Sequence, residues 1–188
     1  MTVLSFVRAA LVIVVLAILS GTHAIHAQAD SDDTLEGMPK EQKEHYSKLL
    51  DLSKQYTQAR ETKNALAKKE ALDKVTTETR EVLSSINNML SKDGAKDWIG
   101  EAGVVPGYLH ISYTRRKDPS LTIQFSIPTK DLPKDVLDVA KKLAKGDQVR
   151  FSIASDEKNP AKMSGSKNHF TVQVPPQRLN SLTIVAAK

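Results

Sequence analysis

Residues 118–125 read DPSLTIQF. Leu121, Ile123 and Phe125 fall on one side of a pleat, and Thr122 and Gln124 on the other. That period of two marks a strand with one face in a core. The same alternation runs outward in both directions. Leu109, Ile111 and Tyr113 alternate with His110, Ser112 and Thr114, and Ile127 prolongs the central run. Val149, Phe151 and Ile153 make a third run, and Phe170, Val172 and Val174 a fourth, which Leu182 to Val185 extends beyond Pro175-Pro176. A short strand is predicted earlier, over Trp98 to Val105, with Trp98 at its opening and Tyr108 in the turn after Pro106-Gly107. Between the central and third runs, Val136, Leu137, Val139, Ala140 and Leu143 share one helical face, and Gly146-Asp147 turns the chain back into strand. The order strand, strand, strand, helix, strand, strand predicts, for residues 94–188, a five-stranded OB-fold-like β-barrel with one helix between strands 3 and 4.

Residues 39–93 have a different period. From Lys40 to Lys92 there is neither Gly nor Pro, and good helix formers dominate. Pro39 suits a first helical turn, and Asp93-Gly94 a helix end. The class is therefore α+β: a long N-terminal α-helical segment, then the barrel. Leu72, Val75, Thr79, Val82, Ile86 and Met89 form a heptad-like seam, widened by Leu83 and Leu90. A shorter seam of Tyr46, Leu49, Ser53 and Tyr56 is out of phase with it. Either a turn lies near Thr57 to Asn64, or one long helix has a bare middle. The longer seam must be covered, by the other helical half, by the C-terminal domain, or by a second copy of the chain. The third choice predicts a homo-oligomer through Leu72, Val75, Val82, Ile86 and Met89 in a short coiled coil.

The first 29 residues have the parts of a secretory signal peptide. Arg8 precedes the apolar run Ala9–Leu19, and Ala27-Gln28-Ala29 fits a cleavage site. Residues 30–38 are acidic and polar, the composition of a disordered leader. The expected location is periplasmic or secreted. No cysteine occurs, so the fold rests on burial alone. Residues 30–93 carry 11 basic and 13 acidic side chains, a net of −2, and residues 94–188 carry 15 and 9, a net of +6. That excess is modest and spread out, as on a solvated surface.

DPSLTIQF, the IP that follows, the amphipathic helix and LAKGDQVRFSI together resemble the CusF-like periplasmic copper-binding domains, over roughly Gly100 to Val174. Pro119, Thr122 and Phe125 match one family motif, and Leu143, Gly146, Asp147, Val149 and Phe151 match another. The resemblance implies an OB barrel that holds Cu(I) with two methionines and a histidine beside a tryptophan. Thioether sulfur is soft and suits that ion. Here Leu121 and Ile123 stand at the methionine positions and Asp118 at the tryptophan position. The histidine position falls on Tyr113 when matched by strand end, or on His110 when matched by spacing. The family's ligands are not retained, and DPSLTIQF reads as core.

Other chemistry is sparse. His110, Met163 and His169 are the candidates for a substitute metal site, with copper the ion. Arg115, Arg116 and Lys117 form a basic tip where nucleic-acid-binding OB domains make contacts. The adjoining face lacks the aromatics that base stacking needs, so no nucleic acid is expected. No catalytic motif appears, and an enzyme is not expected. The leading reading is an exported, non-enzymatic binding module whose partner is a protein or envelope component, with no cofactor. The alternatives are a periplasmic copper carrier and a helix-mediated oligomeric structural protein of the envelope.

Overall fold

The computed structural model describes residues 40–116 and 120–185. The predicted signal peptide and leader, and Lys117, lie outside the described residues.

The helical segment is a hairpin. Helix α1 spans Lys40–Glu61 and α2 spans Ala65–Lys92. The chain reverses at Thr62–Asn64 because Asn64 caps α2: its side-chain oxygen accepts from the amides of Leu66 at 3.0 Å and Ala67 at 3.1 Å. At the far end Asp93 is the C-cap and Gly94 takes φ +68°, so the chain leaves at a sharp angle. A Cβ at Gly94 would lie 2.2 Å from the Ile153 carbonyl oxygen. Much of the long seam is buried within the chain, while Leu72, Val82 and Met89 stay half-buried. Val75, Thr79, Leu83, Ile86 and Leu90 are buried, facing α1 and the sheet. Among the described residues, no helix is long and apolar enough to cross a membrane.

Seven strands follow: β1 (Ala95–Val105), β2 (Tyr108–Arg115), β3 (Leu121–Pro128), β4 (Gln148–Ile153), β5 (Lys162–Ser166), β6 (His169–Gln173) and β7 (Leu179–Ile184). A short helix α3 (Lys134–Ala140) joins β3 to β4. The five-stranded barrel is corrected here. The strands form one mixed sheet in the order β5-β6-β3-β2-β1-β4-β7, and β5 and β7 are its unjoined edges. β1, β2 and β3 form an antiparallel meander, β4 pairs antiparallel with β1, and β6 pairs parallel with β3. The two additional strands are β5, from a stretch without apolar alternation, and β7, which pairs with β4 rather than prolonging β6.

Every strand contributes to one apolar face. Ile111 is paired with Phe125, Phe125 with Val172, and Val172 with Met163, so these four share a side. They belong to one buried cluster with Tyr46, Leu49, Ile86 and Leu90 of the hairpin. The helices therefore cover the sheet rather than standing apart from it. At the seam's end Arg178 is almost wholly buried. It lies in the 3-10 turn Pro176–Arg178, and its guanidinium donates to the carbonyls of Ala154 at 2.8 Å, Asn159 at 3.2 Å and Leu90. One side chain thus fastens the end of α2, the loop after β4 and the entry to β7.

Candidate functional site

The three metal candidates are not brought together. Met163 is buried on the inner face of β5, beside Val172. His110 is paired with Ser126, and Ser126 with Gln173, which puts it on the outer face. His169 is exposed, paired with Thr122 on that outer face. Ser126 and Thr122 are four residues apart on β3, roughly 13 Å along the strand. The sheet itself separates Met163 from both imidazoles. His110 leans instead on Tyr108, with ring centroids 6.1 Å apart. Arg115 ends β2 half-buried, and Arg116 is exposed beyond it.

A different set does converge. A cavity of about 20 Å³ lies where the hairpin meets the sheet. His45 and Tyr46 reach it from α1, Ile86 and Met89 from α2, and Met163 from β5. Trp98, Tyr113, Ile123 and Val172 supply its sheet side. Two thioethers, one imidazole and the only tryptophan therefore border one space. The elements that carry them are fixed independently. Asn87, one turn before the end of α2, accepts from the Met163 amide and donates to the Met163 carbonyl at 3.3 Å. That pair of bonds ties β5 to α2 beside both sulfurs. Trp98 is held by edge-on packing against Phe125 at 4.7 Å, Tyr113 at 5.9 Å and Phe151 at 6.1 Å between centroids.

The cavity wall is mainly apolar. Tyr113 Oη and Trp98 Nε1 are buried without a hydrogen-bond partner. Burial raises the Tyr113 phenol far above its ordinary pKa, so it stays protonated; the nearby Ile99 backbone offsets a little of this without hydrogen-bond geometry. Nothing in the lining carries a carboxylate, and among the described residues no three His, Cys, Asp or Glu side chains cluster as a metal site. About 20 Å³ is enough for a single small species and too little for an organic ligand. Thioether and imidazole are soft, uncharged donors, the set suited to Cu(I) rather than to Ca²⁺ or Mg²⁺. The indole of Trp98 borders the same space. Thioether sulfur and imidazole nitrogen are thus the donor types that border this space.

The site is assembled from long-range contacts. Met89 reads in sequence as seam packing, and no motif singles out His45. The one local sign was His45 beside Tyr46, next to the apolar stripe of α1. Ile123, in the DPSLTIQF strand, is part of the cavity wall as hydrocarbon. No family model, curated protein or solved structure matches this chain.

Proposed function

We propose that this chain is an exported, non-enzymatic binding protein whose ligand is a soft monovalent metal ion, Cu(I) by chemistry. The observation that carries the reading is the shared cavity of His45, Met89, Met163 and Trp98. In this reading Met89 and Met163 supply sulfur and His45 supplies nitrogen, with the Trp98 indole beside them. This donor set keeps Met163 and takes His45 and Met89 in place of His110 and His169. Leu121 and Ile123 remain packing residues.

Uncharged donors make the binding selective by softness, because no carboxylate compensates the charge of a hard divalent ion. Met→Leu conserves volume, so M89L and M163L remove sulfur at a fold cost under about 1.5 kcal/mol. In competition with the Cu(I) chelator bicinchoninate, the protein is expected to withdraw one equivalent of copper. M89L, M163L and H45Q are expected to lose that competition, while H110Q and H169Q keep it. Failure of the parent protein to compete, or loss of competition in H110Q or H169Q alone, would overturn the reading.

A further inference from the structure

A second recess lies on the other end of α1, independent of the metal cavity. Its volume is about 420 Å³, between α1 and the turn from β5 to β6. That falls in the range of small-molecule sites, ~300–1,000 Å³. Ser53, Tyr56, Thr57, Arg60 and Glu61 form its helical side. Lys167, Asn168 and Ser120 form the other.

The turn is built in an unusual way. Ser166 pairs with His169, which leaves Lys167-Asn168 as a two-residue hairpin loop. Lys167 takes φ +64°. Glycine is the ordinary occupant of a positive-φ position in such a turn, and a side chain there costs conformational energy. The strain is held in place from both sides. Ser53, 2% exposed, donates through its hydroxyl to the Lys167 carbonyl at 2.7 Å. Asn168 donates to the Ser120 hydroxyl at 2.7 Å, and the Thr122 amide donates to the Asn168 carbonyl at 2.8 Å. The fold therefore maintains an ammonium group at a position where glycine would relax it. Arg60 and Glu61 are exposed, and like Lys167 they make no ion pair among the described residues.

We propose that this recess binds a small hydroxylated organic anion, a sugar or polyol bearing a carboxylate or phosphate. Arg60 presents a planar fork and Lys167 a point charge, the pair suited to an oxyanion. Glu61 would repel a bare anion but accepts from hydroxyl groups. Ser120 accepts from Asn168 and keeps its own proton to donate, and the Asn168 amide oxygen remains an acceptor. Tyr56 borders the recess with an aromatic ring against which the C–H face of a sugar packs.

Calorimetric titration with glucuronate, glucose 6-phosphate, glucose and inorganic phosphate tests this. At least one sugar anion is expected to bind saturably, and its carboxylate or phosphate identifies the preferred group. Glucose is expected to bind at least about tenfold more weakly, the loss of one charge-assisted contact. K167G is expected to melt no lower than the parent, because the turn relaxes, yet to lose at least about tenfold in affinity. R60Q is expected to lose affinity likewise, and copper competition is unchanged in both variants. Absence of binding by both sugar anions, unaltered binding in K167G, or inorganic phosphate binding as tightly as the sugars would overturn the proposal.

Discussion

At the scale of single residues, the strongest constraint is Arg178, and it was invisible in the sequence. PPQRL reads as a turn with a surface arginine. Its partners Leu90, Ala154 and Asn159 are 88, 24 and 19 residues away, and no local pattern encodes them. R178M leaves three carbonyls to find other donors. It is expected to cost about 3 kcal/mol, read as a lowered urea midpoint at unchanged slope. Tyr113 behaves oppositely. Its hydroxyl is buried without a partner, so Y113F is expected to be neutral or stabilising by about 1 kcal/mol. The sign in pH follows from the raised phenol pKa. The folded chain keeps this proton while the unfolded chain loses it above about pH 10, so Tyr113 erodes stability as pH rises through that value. Chemical denaturation at pH 8 and pH 11 is expected to give a smaller alkaline loss for Y113F than for the parent.

At the scale of elements, legibility followed regularity. β2 and β3 alternate without interruption, and both have the burial pattern their sequences predict. The runs at Val149 and Phe170 are strands as well. β1 was read from Trp98 but begins at Ala95, because an irregularity between Ala95 and Trp98 breaks the period. β7 buries Leu179 and Leu182, three apart, because its register against β4 shifts at Ser152/Ile153. β5 carries one apolar residue, Met163, in KMSGS, and gives no strand signal. Its position depends on Gly165, at φ +134°, where a Cβ would lie 2.3 Å from the His169 carbonyl oxygen. G165A is expected to dislodge β5 at a cost of about 2 kcal/mol or more, and to weaken copper binding with it, because Met163 rides on that strand. Thermal melting and the bicinchoninate competition, run on the same sample, check both effects. The helical hairpin was one of two open readings, and the Asn64 cap decided it.

At the scale of the whole molecule, the apolar faces were legible but their arrangement was not. A sequence names which side of a strand is buried. It does not say whether edge strands meet, because pairing between distant strands depends on register and turns. The open sheet leaves a face that the helical hairpin covers, and this explains why much of the long seam is buried inside one chain. The cavity proposed to bind metal is a product of that covering. His45, Met89 and Met163 come from three elements and have no common motif. A chain beginning at Gly94 lacks the cover over Trp98, Ile123 and Val172. It is expected to show red-shifted tryptophan emission and weak near-ultraviolet dichroism, whereas a native-like spectrum would mean that the sheet is self-sufficient.

Trp98 is the chain's one tryptophan and borders the cavity, so its emission reports on the space directly. Titration of the protein with Ag(I), a soft monovalent probe, is the most direct measurement. The cavity predicts saturable quenching at one equivalent, abolished by M89L or M163L and retained in H110Q and H169Q. Unchanged emission through several equivalents, or quenching that both methionine variants retain, would contradict it.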